Sequence, residues 1–167
     1  MARTLVLGLG NPLMGDDGLG VAAVESLRED WDLSDDVDLV DGGTWGMNLL
    51  PLIETADRVI LMDAIRSGVA PGTLTVLERR DLPRYFSLKL SPHQIDLREV
   101  LALAELRGAL PDDLVAIGIE PQRIEMDVAL SPAVRAGMHK VVDLVVDRLE
   151  ASGHRCRRRD RKPECMS

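Results

Sequence analysis

The chain has 167 residues, a formal charge of −8, 46% hydrophobic residues and 2% aromatic ones. Such a length and apolar content suit one domain with a sizeable core built from Leu, Val, Ile, Met and Ala. The scarcity of aromatic rings argues against a stacking platform for single-stranded nucleic acid, and the negative charge argues against polyanionic partners in general.

In chain order, Thr4–Leu9 reads as a first strand and Gly18–Arg28 as a helix with Val21, Val24 and Leu27 on one face. Val37–Asp41 is a second strand, and Met47–Glu54 a second helix entered through a glycine-rich turn. Arg58–Asp63 is almost continuously apolar, as a central strand covered on both faces should be. The connection Ala64–Pro71 is too short for a crossover helix, so the next strand, Thr73–Glu78, is expected to run antiparallel to the third. Arg79–Leu90 reads as a polar link, Ile95–Leu106 as a helix and Asp113–Ile119 as a fifth strand. Ser131 begins a last helix with Pro132 at its first position, where the missing amide hydrogen costs nothing. Its apolar stripe is Val134, Met138, Val141, Val145 and Leu149. The expected architecture is α/β with a mostly parallel, mixed five-stranded sheet.

Residues 1–153 form the expected single domain. In 154–167 periodicity is lost and six Lys/Arg face only Asp160 and Glu164, so this basic tail is expected to be disordered. Cys156 and Cys165 match no zinc motif or disulfide framework and are expected to be reduced and incidental. The N-terminus carries too short an apolar stretch for a signal peptide, and no run is long enough to span a membrane. A cytoplasmic protein without a membrane partner is expected.

The chemistry concentrates first in Leu7–Gly20, LGLGNPLMGDDGLG, where a strand ends in a loop bearing Asp16 and Asp17. Gly8-Leu9-Gly10 could open a dinucleotide fingerprint, but Leu13 stands where the third glycine belongs and Pro12 intrudes. GLGNP also resembles the start of peptidyl-tRNA hydrolases; their next histidine-containing motif is absent and an acidic body does not suit tRNA. Acids at the carboxyl end of a strand, by contrast, lie where open α/β sheets gather ligands. Asp63 ends the third strand at the same edge, aiming a second acid at the crevice or simply capping a turn.

His93 falls in the first turn of its helix if Ser91 is the N-cap, and there the helix dipole disfavours the imidazolium ion. A neutral ring is available as a metal ligand or general base, with a surface or capping role as the alternative. His139 and His154 are assigned no catalytic role. One imidazole and two carboxylates suit a borderline divalent ion such as nickel or zinc. The residues alone leave open a metal-assisted hydrolase and a carboxylate-lined ligand-binding domain.

GNPLMGDDGLG, DGGTWG at 41–46, LMDA at 61–64, SPHQ at 91–94, GIEP at 118–121 and LSPAV at 130–134 occur in that order. In this the chain, from residue 4 to about 150, resembles the nickel-iron hydrogenase maturation proteases. The resemblance implies a three-layer α/β/α sandwich with a twisted sheet. It implies an endopeptidase that removes a C-terminal extension from the hydrogenase large-subunit precursor after nickel insertion. Asp17, Asp63 and His93 match the family's metal-contacting residues, and nickel, supplied by the substrate, serves as the recognition mark. A non-catalytic chaperone that binds the nickel-loaded large subunit is the alternative, and a monomer is expected in either case. Asp17 stands where the family often has Glu, and Met126–Ala129 where it often has glycines. Asp16 is expected to shape the loop or cap the helix. Gly42 and Gly43 could lie against an extended peptide or merely turn the chain, and Trp45 could line a cleft or pack on the sheet.

Overall fold

The strand periods of the sequence become a five-stranded sheet in the computed structural model, which describes residues 2–43, 46–87 and 93–160, those from 93 to 96 without their side chains. The strands are β1 (Thr4–Leu9), β3 (Val37–Gly43), β4 (Arg58–Ala64), β6 (Asp113–Ile119) and β5 (Leu74–Glu78), with β2 (Trp31–Leu33) and β7 (Cys156–Arg158) forming a separate antiparallel pair. The spatial order is β3-β1-β4-β6-β5, and every pairing is parallel except β5 with β6. The expected mixed, mostly parallel sheet is therefore present.

Among the described residues five α-helices cover it: α1 (Leu19–Asp30), α2 (Leu50–Thr55), α3 (Leu82–Ser87), α4 (His93–Leu106) and α5 (Pro132–Ala151). Side chains alternate across a strand, so each strand feeds two cores. Leu5, Leu7 and Leu9 of β1 and Val59 and Leu61 of β4 pack with α2, α3 and α4 through Ile53, Tyr85, Leu97 and Leu101. Val6, Ile60 and Met62 point the other way, onto Val24 and Leu27 of α1 and Val141 and Val145 of α5. This is the three-layer sandwich, and the continuous apolar run of β4 is explained by burial on both faces. Among the described residues, no helix is long and apolar enough to cross a membrane.

Thr73–Glu78 runs antiparallel to the third strand as expected, although it pairs with β6, which intervenes between it and β4. Two expectations are corrected. Arg79–Leu90 is not simply a polar link. A 3₁₀ turn at Arg79–Asp81, closed by reciprocal side-chain bonds of Glu78 and Asp81, leads into α3, which buries Leu82 and Tyr85. The tail expected to be disordered from residue 154 instead begins with a buried His154, whose ring nitrogens lie 2.7 Å from Thr4 Oγ1 and 2.9 Å from Asp36 Oδ1. Cys156–Arg158 then pair with Trp31–Leu33. The rest of the tail, 161–167, lies outside the described residues.

Candidate active site

The topology singles out one place on the sheet. From β1 the chain moves to β3 on one side, and from β3 it crosses to β4 on the other, so β1 and β4 flank the point where the winding reverses. Ligands of open α/β sheets bind beyond the carboxyl ends of strands at such a point. Asp17 follows β1 in a 3₁₀ turn, Gly15–Gly18, that packs against β4, and Asp63 is the penultimate residue of β4.

The turn is shaped by its glycines and its acids together. At Gly10, φ is +108° and a Cβ would lie 1.9 Å from the carbonyl oxygen of Asp17, so only glycine lets the strand end fold back over the turn. Asn11 N–H then donates to Asp17 Oδ2 at 3.0 Å, and Leu13 N–H to Asn11 Oδ1 at 3.0 Å. Asp17 is 4% exposed and Asp63 fully buried. By the strand alternation Asp63 shares the face of Val59 and Leu61, the side covered by α3 and α4. There the Tyr85 hydroxyl donates to Asp63 Oδ2 at 2.8 Å. Burial, reinforced by the charge of Asp17, pushes the Tyr85 phenol far above its ordinary pKa, so it stays protonated and remains a donor. Tyr85 is thus hydrogen-bonded to Asp63 and feels the charge of Asp17.

Asp16 plays the loop-shaping part expected of it, though not as a helix cap. Its Oδ2 accepts bonds from Gln122 N–H, Arg123 N–H and the Ser131 hydroxyl, each at 2.8 Å, and its Oδ1 accepts Ser131 N–H at 2.7 Å. Burial alone would raise its pKa. The bonds from Arg123, Ser131 and Gln122 outweigh that effect and hold the carboxyl below the ordinary range. Ser131, at the N-cap position of α5, consequently spends its hydroxyl on Asp16. The two loops are laced further by Gly15 N–H to Asp127 O at 2.7 Å and Asp127 N–H to Leu13 O at 3.1 Å. The segment 126–129 reaches this conformation without glycine, and no described non-glycine residue has positive φ.

His93 is the first residue of α4. Its side chain lies outside the described residues, as do Ser91 and Pro92, the expected cap, and Trp45. Among the described residues no three His, Cys, Asp or Glu side chains stand close enough to hold a metal ion. The donor chemistry nevertheless suits one: two buried carboxylates from separate segments lie at the carboxyl edge of the sheet, one in the turn after β1 and one near the end of β4.

Two buried groups escaped the sequence reading. Tyr85 was hidden in the supposed link, although Leu82, Tyr85 and Phe86 have the i, i+3, i+4 spacing of a helical apolar face. Glu120, just past β6, accepts Ser67 N–H at 2.6 Å, the Ser67 hydroxyl at 3.1 Å and Gly68 N–H at 3.2 Å, tying down the loop after β4. No local sequence signal marks that role.

A model of the hydrogenase maturation protease family matches residues 21–148. The chain belongs to that family. It is a peptide-bond hydrolase of hydrogenase maturation, and its sequence is 40% identical over 152 residues to the hydrogenase 2 maturation protease of Escherichia coli, covering 90% of this chain and 93% of that protein. The hydrogenase expression/formation protein HupD of Thiocapsa roseopersicina is 38% identical over 160 residues, covering 93% and 72% of the two chains. The fold of this protease is likewise similar to that of the solved hydrogenase maturating endopeptidase HybD from E. coli. The TM-score is 0.89 at 39% identity, over 94% of this chain and 98% of that one. A [NiFe] hydrogenase maturation protease from Thermococcus kodakarensis matches with a TM-score of 0.73 at 27% identity, over 87% and 98%.

Proposed function

We propose that this protease removes the C-terminal extension of the nickel-iron hydrogenase large-subunit precursor after nickel insertion, and that Asp17, Asp63 and His93 meet the precursor's nickel. The observation that carries the reading is the pair of buried carboxylates at the switch point between β1 and β4, delivered by segments that are remote in sequence. Nickel is part of the substrate, so the free enzyme has no need to hold it tightly. Asp17 and Asp63 supply oxygen ligands and His93 a neutral nitrogen, a donor set suited to a borderline divalent ion. Anchored on the ion, the scissile bond sits beside the three side chains, and the metal polarises its carbonyl or activates a water. The enzyme works in the cytoplasm as a monomer, with no nucleic-acid or membrane partner.

The test is to incubate the protease with a nickel-loaded large-subunit precursor and measure its intact mass. The expected result is loss of the C-terminal extension, with no cleavage of the nickel-free precursor. An unchanged mass with nickel present would favour a binding-only chaperone and overturn the proposal. Asp17→Ala, Asp63→Ala and His93→Ala should each abolish processing, whereas Asp17→Glu, which keeps oxygen ligation, should retain it. Cleavage by any of the three alanine variants removes that residue from the site.

A further inference from the structure

Asp63 can meet a metal ion productively only if its carboxylate plane is fixed, because an aspartate at a strand end rotates about two torsions. The group that engages it comes from α3, an element that no strand connection requires. Tyr85 is fully buried, and its hydroxyl reaches Asp63 Oδ2 at 2.8 Å. The next residue, Phe86, is held by α4: Arg98 Nη2 donates to the Phe86 carbonyl at 2.9 Å and the guanidinium lies 5.3 Å from the ring centroid. The Phe86 ring also packs at 5.3 Å against that of Tyr85. A continuous path of contacts therefore runs from Asp63 on β4 through Tyr85 and Phe86 to Arg98 on α4, the helix that opens at His93.

We propose that Tyr85 is a positioning residue of the protease, its hydroxyl fixing the carboxylate of Asp63 in the orientation in which it meets the precursor's nickel. The proposal rests on the assignment of Asp63 above. A charge-assisted hydrogen bond to a ligating carboxylate both orients it and restrains it, and loss of such an outer partner costs about 10- to 100-fold in metal affinity or activity. Tyr85→Phe removes the hydroxyl and keeps the ring. Its kcat/KM on the nickel-loaded precursor should fall by about 10- to 100-fold, and Ni²⁺ titrated into the free variant should bind about tenfold more weakly. Wild-type kcat/KM and Ni²⁺ affinity, with only a lowered unfolding temperature, would show that the ring merely packs and would overturn the proposal.

Tyr85 is the one tyrosine of the chain, so growth on 3-fluorotyrosine places a single fluorine probe beside Asp63 in an otherwise unaltered protein. Its ¹⁹F resonance should shift or broaden when Ni²⁺ is added and should not respond in Asp63→Ala. A resonance indifferent to Ni²⁺ in the otherwise wild-type chain overturns the proposal even if Tyr85→Phe fails to fold. The underlying reading of Asp63 fails separately, on processing by Asp63→Ala.

Discussion

The carboxyl group of Asp16 is bonded to three residues more than a hundred positions away, while the adjacent Asp17 accepts a bond from Asn11 N–H in its own loop. Removing the Asp16 side chain strands the buried N–H and hydroxyl of Ser131 and the part-buried N–H groups of Gln122 and Arg123, and Asp16→Ala should cost about 3 kcal/mol in urea unfolding at neutral pH. Because the native state holds this carboxyl below its ordinary pKa, it binds fewer protons than the unfolded chain in the acid range. Its stabilising effect is therefore complete above about pH 4 and is lost as pH falls through the native value. The stability gap between wild type and Asp16→Ala should narrow below pH 4; a gap constant down to pH 2 would contradict this account. The division of labour within the Asp16–Asp17 pair could be argued from the sequence only as a preference, because what separates the two is a partner loop that local pattern does not locate. What the sequence did disclose is position: Asp63 closes an apolar strand, and His93 falls where α4 begins.

Among the elements, α1 shows how tightly the site is tied to its supports. Gly20, in its first turn, faces the strands so closely that a Cβ would lie 2.2 Å from the Met62 carbonyl oxygen and 2.5 Å from the backbone nitrogen and oxygen of Leu9. Backbone at the centre of a sheet cannot yield, so Gly20→Ala should push α1 outward. The cost belongs at the upper end of the roughly 1–3 kcal/mol of an overpacked core, which lowers the melting temperature by about 6–12 °C. Since α1 directly follows the turn that carries Asp17, processing should fall as well, and calorimetry beside a cleavage assay reads both effects. The long, strongly periodic elements, β1, β4, β6 and α5, were visible in the sequence because burial imposes its period on many residues. Helix α3 was not, since six residues make fewer than two turns and its neighbours Arg79, Arg80 and Asp81 set the local character. Strand β7 was hidden for another reason: Cys156–Arg158 pair through their backbone with Trp31–Leu33, and side-chain charge says nothing about that.

At the scale of the molecule, the alternation of strands and helices disclosed the layered architecture, and the short Ala64–Pro71 connection disclosed the reversed strand. The insertion of β6 between β4 and β5 was not legible, because the choice of neighbour is made by the whole sheet. The two ends of the sheet have separate duties. The carboxyl edge carries the acids, while the opposite edge is sealed where His154 meets Thr4 and Asp36. His154→Ala should therefore lower unfolding stability by about 2 kcal/mol while leaving kcat on the precursor unchanged; a fall in kcat at a temperature where the variant is fully folded would show that the two edges are coupled.

The contact between His154 and Thr4 spans 150 positions of sequence, and it gives the chain a direction in time. Long-range closures of this kind are slow because their loop entropy is met before any reward arrives. The first residue of β1 leaves the ribosome before its partner and waits until the chain has grown by 150 positions. A nascent protease halted before β7 holds both acids and the switch point in its sequence with that far edge still open.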